Sequence, residues 1–525
     1  MMRVAIRVDG STRMGGGHVM RCLTLADELN RIGADTVFVS AVMPQPLRAR
    51  LDHAGHTLRD IDNGHVELAC GRERWEEASL SADAQREDAS RTAEALDGAF
   101  DWIIVDHYLL DRVWEEAVRA AAARVMVIDD LANRRHDCDL LLDQTFGRVA
   151  GDYVSLVPEG ARLLLGARYA LLRPEFVLER PDSLARRRCP APVDRIVISL
   201  GASDLDGITA AAVDEVRRAA PDCSVDVVLG SGAPSLHALG LLASDQPSLQ
   251  LHVDTSEMAP LLRQADLAIG AFGTTSWERC CLGVPSIGLI LAENQRFLAR
   301  SLGEVEASIA VASIAELPLA LRELLDDATR RLKMVAASAA ITSGNGASLV
   351  AQAICGLDPA PSECPRVNIR PAALADAETL WLWRNDPAAR AASQKSDPVP
   401  WQDHIRWLEL VLTSEHRHLF IAECGAADLG VVRFDCINEK GPTYEVSINL
   451  QPQARGGGNG RAVLAAGCAH FLRQIGSARL EAVIHEKNPA SRRIFEALGF
   501  RYSGPMAESS FQRYVQQEYS PLVEA

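Results

Sequence analysis

Lysine is nearly absent from this chain. Of its 54 basic residues only Lys333, Lys395, Lys440 and Lys487 are lysines, and none closes a G-x-x-x-x-G run, which excludes a Walker-type phosphate loop. Basic charge is also outweighed: 54 Lys and Arg against 70 Asp and Glu leave a net charge of -16, which argues against a nucleic-acid partner because that partner needs a basic face. No apolar run approaches the roughly 18 residues of a membrane span, and Arg3 and Arg7 interrupt the first apolar stretch, so neither a spanning segment nor a secretory leader is expected. No two of the 12 cysteines form a C-x-x-C pair, and no Cys/His cluster has metal-ligand spacing. The expectation is a cytoplasmic protein with reduced core cysteines and no bound metal. What is present is apolar bulk: 48% of 525 residues are hydrophobic and 24% charged, enough for about three or four compact units.

From Val4 onward, short aliphatic runs alternate with helical patterns, the signature of βαβ units and parallel sheet. The runs are 4–8, 36–40, 102–105 and 125–128. After an Arg-rich, Pro-containing stretch around Arg180 to Pro192 the alternation resumes at 196–200, 225–229, 267–269 and 286–290. This predicts an α/β fold with Rossmann-type units over 1–180 and 190–343. The stretch 344–366, with Pro359, Pro361 and Pro365, is expected to be a linker. Beyond it, helical patterns near 376–385 and 401–412 precede strands at 418–423, 430–435 and 444–450, predicting an α+β domain over 367–525.

The first strand ends in Asp9 and leads through Gly15-Gly16-Gly17-His18 into a helical run. Glycines there admit a ligand close to the backbone, and the helix start offers free N–H groups. The spacing is not G-x-G-x-x-G, and no acidic residue ends the second strand, so a redox dinucleotide site is disfavoured. Residues 7–26, Val105-Asp106-His107-Tyr108, 128–134, 137–144 and Tyr169-Ala170-Leu171-Leu172-Arg173-Pro174-Glu175-Phe176 together resemble, in order, the hydrolase family acting on UDP-2,4-diacetamido-2,4,6-trideoxy-β-L-altropyranose in pseudaminic acid biosynthesis. The resemblance covers roughly residues 1–350 and implies a GT-B-like pair of Rossmann units. It also implies that His18 activates a water beside the Gly15–Gly17 loop. Asp106, His107 and Tyr108 are candidates to line the sugar pocket from the sheet's C-terminal edge.

In the second unit, Gly270-Ala271-Phe272-Gly273-Thr274-Thr275-Ser276-Trp277-Glu278 follows a strand and opens a helix. Such a turn receives a diphosphate through backbone N–H groups, and Glu278, one turn further in, can accept from ribose hydroxyls. This is similar to the UDP site of the GT-B superfamily, with Phe272 standing where glycine is usual. By the same resemblance Asn294 lies by the sugar and is a catalytic candidate, with Gln295 next to it as a substrate contact, and Gly201 and Ser203 face the cleft. Gly230-Ser231-Gly232 either contacts the uracil or only turns the chain.

Arg455-Gly456-Gly457-Gly458-Asn459-Gly460-Arg461 satisfies R-x-x-G-x-G at a strand-to-helix junction, a pyrophosphate cradle. With Asn488-Pro489-Ala490-Ser491 and Phe495-Glu496-Ala497-Leu498-Gly499-Phe500 it resembles the GNAT acetyltransferases. Leu380-Trp381-Leu382-Trp383-Arg384-Asn385-Asp386-Pro387 narrows this to enzymes that acetylate a sugar 4-amino group in the same pathway. The resemblance implies acetyl-CoA as co-substrate, held by Ile448, Leu450, Arg455, Gly456, Gly458, Gly460, Arg461, Asn488 and Ser491. Glu445 is a candidate base for the sugar ammonium, or a polar residue on an exposed strand face. Many GNAT enzymes carry a tyrosine acid at the position of Phe495, so Tyr502 or another tyrosine replaces it or the thiolate leaves unassisted. His404, His416 and His418 are read as structural.

Both halves together imply a bifunctional enzyme: N4-acetylation of UDP-4-amino-4,6-dideoxy-N-acetyl-β-L-altrosamine, then hydrolytic loss of UDP with inversion. The partners are small molecules, UDP-sugar and acetyl-CoA. The rivals are a GT-B glycosyltransferase fused to an acetyltransferase, and a silent UDP-sugar and acetyl-CoA sensor.

Overall fold

The structure is a computed structural model that describes residues 2–11, 15–64, 80–204, 206–356, 367–424, 427–438, 443–455, 459–476, 478–486, 488–506 and 510–516. The chain divides into two compact units, Met1–Ile354 and Cys355–Ala525.

The first unit contains two parallel sheets, the paired Rossmann-type arrangement expected of a GT-B-like fold. In one, β1 (Arg3–Val8), β2 (Asp35–Ser40), β3 (Thr57–Asp60), β4 (Phe100–Asp106), β5 (Ala122–Ile128), β6 (Leu140–Asp143) and β7 (Arg162–Leu165) take the order β3-β2-β1-β4-β5-β6-β7. The central strands are buried along most of their length, as a sheet covered by helices on both faces requires. The chain order reverses between β1 and β4, and an open α/β sheet places its ligand at such a switch point. The second sheet comprises β8 (Arg195–Ser199), β9 (Ser224–Leu229), β10 (Leu249–Val253), β11 (Leu267–Ala271), β12 (Ser286–Leu289) and β13 (Ile309–Val311), in the order β10-β9-β8-β11-β12-β13. Its switch point lies between β8 and β11.

Helix Pro174–Arg186 runs through the stretch expected to separate the halves. Its Arg180 donates to the carbonyls of Cys281, Ala339 and Thr342, and Ser183 donates to Leu282 O, so the stretch is packed onto the second half. The expected linker is corrected in the same way. Residues Gly346–Ile354 form a helix of the first unit. Gly346 presses against the backbone of Tyr169 and Ala170, where any Cβ would collide. Residues 357–366 lie outside the described residues.

The second unit is the expected α+β domain. Its strands are β14 (Asn368–Pro371), β15 (Arg417–Cys424), β16 (Ala427–Asn438), β17 (Thr443–Leu450), β18 (Arg479–His485), β19 (Arg501–Pro505) and β20 (Phe511–Gln516), ordered β14-β15-β16-β17-β18-β20-β19. Every pairing is antiparallel except β17 with β18. Val446, Val432 and Phe434 face helix Asn459–Ile475 on one side, where Phe434 stacks on Phe471 at 4.1 Å. Helices Ala377–Asn385 and Trp401–Leu412 meet the other side, where Asn449 donates to Trp383 O and Arg433 lies over the Trp407 ring. No helix among the described residues is long and apolar enough to cross a membrane.

Candidate functional site

His18 is the second residue of helix Gly17–Arg31, which starts just beyond the C-terminal end of β1. Just before the helix, Gly15 N–H donates to Ser11 O at 2.9 Å, with Gly15 at φ +76°, a conformation that favours glycine. Because β1 pairs with β4, His18 reaches the carboxylate that ends β4: its Nδ1 lies 2.6 Å from Asp106 Oδ1. Arg21, one helical turn on, donates to Asp106 through Nε and Nη2 at 2.6 Å each and to Asp130 at 3.0 Å. Burial alone would raise the Asp106 pKa, but Arg21 and His18 outweigh it and hold this carboxyl below the usual carboxylate range. An ionised Asp106 accepts the Nδ1 proton, which leaves Nε2 as the bare nitrogen of the neutral ring. Arg21 Nη2 is 3.2 Å from Nδ1, but both are donors in that state, so this is a contact and not a bond. The Tyr108 ring meets His18 edge-on at 4.7 Å, and its hydroxyl donates to Asp130.

Two of the three residues expected to line the sugar pocket do not reach it. Asp106 and His107 are each 1% exposed. His107 Nδ1 accepts from Leu109 N–H, so its proton sits on Nε2, 3.0 Å from Asp9. Asp9 in turn pairs with Arg7 and accepts from Ser40, Ala41 and Val42, tying β1 to the end of β2. Of the three, Tyr108 alone is not fully buried.

The loop after β11 stands opposite. A Cβ on Gly17 would lie 3.6 Å from Thr274 Oγ1, so the first-sheet turn and the second-sheet turn meet there. Thr274 precedes helix Thr275–Cys281, which carries Glu278. Phe272 leaves the loop for the core: it is 2% exposed and its ring occupies the space a side chain at Gly288 would need. Arg279 holds the turn from below, donating to Ala271 O at 2.9 Å and to Thr275 Oγ1 at 3.1 Å.

Glu278 has a buried oxygen, Oε2, with no hydrogen-bond partner, and its other oxygen is 3.9 Å from Arg173. Burial dominates and pushes its pKa up to about 7 against the pull of Arg173 and Arg279. An acceptor of this kind is costly without a donor, and a ligand hydroxyl would supply one.

Gly201, at φ +111°, and Ser203 lie beyond the end of β8, the neighbour of β11. Gly230 packs on the backbone of Ala202, which makes the Gly230–Gly232 segment a turn. Asn294 is exposed in the short turn Glu293–Gln295, whereas Gln295 accepts from Leu291 N–H and caps its own loop.

In the second unit, β17 pairs with β16 along its length but with β18 only over Thr443–Glu445, the last pair being Glu445 with Glu481. The parallel strands part there, and Ile448 and Leu450 lie on the stretch beyond the fork. Burial raises the Glu445 pKa above its ordinary value, against the opposing pull of Arg433.

Several expected cofactor contacts have other duties. Arg455 pairs with Asp386 at 2.6 Å and donates to Leu450 O. Asn488 caps helix Pro489–Ala497 by accepting from Ser491 N–H, and its amide donates to the Ser491 hydroxyl. Gly460 is buried against Ile494, while Arg461 is exposed. Gly456 and Gly458 lie outside the described residues. Phe495 packs edge-on against Phe500 in the core. Tyr502 is 55% exposed, and His404 is structural, bonded to Ala377 O. Sequence reasoning missed Arg21 and Arg279. The His18/Arg21 spacing of one turn was the signal for the first; nothing local signalled the second.

Residues 366–501 match the acetyltransferase (GNAT) domain model. An uncharacterized protein of Methanocaldococcus jannaschii is 22% identical over 515 residues, 95% of this chain and 97% of that one. A spore coat polysaccharide biosynthesis protein of Bacillus subtilis, SpsG, is 26% identical over 62% of this chain and 86% of its own length. The UDP-2,4-diacetamido-2,4,6-trideoxy-β-L-altropyranose hydrolase of Campylobacter jejuni is 22% identical over 58% of this chain and 99% of its own. The chain is thus a fusion of a region resembling that nucleotide-sugar hydrolase and a GNAT acetyltransferase domain.

Proposed function

We propose that the chain is a bifunctional nucleotide-sugar enzyme of pseudaminic acid biosynthesis, acetylating the 4-amino group of UDP-4-amino-4,6-dideoxy-N-acetyl-β-L-altrosamine and then hydrolysing the diacetamido product. The observation that carries the hydrolytic reading is the 2.6 Å contact between His18 Nδ1 and Asp106. It commits one ring nitrogen and leaves Nε2 to take a proton from water. The water oxygen attacks the anomeric carbon as the C–O bond to UDP breaks, and that bond's electron pair leaves with UDP. Asp106 offsets the imidazolium that results, and attack opposite the leaving group inverts the carbon. Backbone N–H groups of 273–275 hold the diphosphate, and the unpartnered Glu278 oxygen accepts from the ribose.

The fork after Glu445 fits acetyl-CoA, since strand edges that no neighbour pairs can bond an amide-containing arm. Acetyl-CoA supplies the acyl group. Glu445, with its raised pKa, takes the proton of the sugar ammonium directly or through water. Phe495 cannot protonate the leaving thiolate.

Reaction in ¹⁸O-water tests the hydrolytic half. Label at C1 of the free sugar, and loss of release in His18→Ala, are expected. Label in UDP would mean P–O cleavage and overturn the mechanism.

A further inference from the structure

The acetyltransferase unit gathers three arginines, two of which keep a buried nitrogen without a partner. Arg433 on β16 lies opposite Ser447 of β17, so it shares a sheet face with Glu445 and Asn449. Asn449 donates to the carbonyl of Trp383 at 2.9 Å, which fixes the end of helix Ala377–Asn385, and so Arg384, over that face. Arg390 follows on the short helix Pro387–Ala391. Arg384 donates to the carbonyl of Lys395, one of the chain's four lysines. Buried nitrogens of two of them, Arg384 Nη1 and Arg390 Nε, lack hydrogen-bond partners, while Arg433 Nε lies 2.9 Å from Asp435 Oδ2.

Counter-charge gathers at Arg433, which shares its sheet face with Asp435 and Glu445. Arg433 faces Asp435 at 2.9 Å, but neither Arg384 nor Arg390 enters an ion pair among the described residues. The carboxylate between them in sequence, Asp386, is already committed to Arg455 and to the N–H groups of Ala388 and Ala389. Burial, then the nearby Arg433 and Arg390, lowers the Arg384 pKa, the direction expected where like charges crowd without an anion.

We infer that Arg384, Arg390 and Arg433 form a diphosphate-binding site on the acceptor side of the acetyltransferase unit, holding the nucleoside diphosphate of the amino sugar while its amine reaches Glu445. Guanidinium forks match phosphate oxygens bidentately. The site deepens the proposed N-acetylation and rests on that reading for the identity of the sugar.

Calorimetric titration of the full chain with UDP tests it. Two UDP molecules per chain are expected, one weakened at least tenfold in Glu278→Gln and the other at least tenfold in both Arg384→Gln and Arg390→Gln, with acetyl-CoA affinity unchanged in all three. Retained acetyl-CoA binding also reports that the arginine variants fold. A single UDP site insensitive to both arginine variants overturns the inference. So does a parallel loss of acetyl-CoA affinity, which would assign the cluster to the cofactor. Two sites behaving as expected without acetylation of any UDP-amino sugar would refute the amino-sugar assignment and leave the diphosphate site standing.

Discussion

Glu278→Gln should make the ligand-free protein more stable at alkaline pH while weakening UDP binding. The Glu278 carboxyl is 15% exposed, one of its oxygens has no donor, and its pKa stands near 7 against an ordinary 4.5. Between those values the folded chain holds a proton that the unfolded chain has released. Stability from this group is therefore complete below about 4.5 and is lost as pH rises through about 7. At about 1.4 kcal/mol per pH unit, the cost of the ionised carboxylate above pH 7 is about 3 kcal/mol. A glutamine avoids that cost but buries an amide that lacks partners, so a net gain of about 1–3 kcal/mol is expected. Urea unfolding of both proteins at pH 5 and pH 8, following the transition of the first unit, measures it. The gain should be present at pH 8 and shrink toward zero at pH 5. UDP reverses the order, since ribose hydroxyls donate to the ionised carboxylate: wild-type affinity should fall as pH drops below 7. A variant less stable than wild type at pH 8 would refute the reasoning, because it would mean that the ionised Glu278 already has its partners.

Asp106→Asn removes the charge that orients His18 and receives two bonds from Arg21; breaking a buried pair costs about 3–5 kcal/mol. UDP release should fall at least a hundredfold while acetyl transfer persists, as steady-state assays of both activities would record. Gly346→Ala forces a methyl into the backbone of Tyr169–Ala170, so calorimetry should show the first unit melting earlier with the second unchanged. Glu445→Gln should abolish the acid limb of the acetyl-transfer pH profile, a limb expected above the ordinary 4.5 of a glutamate.

The sequence was most informative where one local pattern sufficed. Aliphatic runs marked β1, β2, β4, β5, β8, β9, β11 and β12, and the glycines before His18 marked the turn that places it. It was least informative about edges. β3, with both end residues exposed, carries no apolar signal. Helix Gly346–Ile354 was hidden because its apolar residues follow a glycine-containing turn and precede three prolines. Within the site, Asp106-His107-Tyr108 was legible as a cluster at a strand end, but alternation along the chain could not say which member supports His18 and which braces Asp9. Asn488 and Ser491 matched a cofactor motif, yet Asn-Pro at a helix start is also a capping signal, and the cap is what forms.

The central claim is that acetylation prepares the substrate for hydrolysis within one chain. NMR of the protein with UDP-4-amino-4,6-dideoxy-N-acetyl-β-L-altrosamine, with and without acetyl-CoA, tests this most directly. UDP and a free 2,4-diacetamido sugar should appear only when acetyl-CoA is present. Release of UDP from the unacetylated sugar, or CoA release with no UDP following, would contradict it.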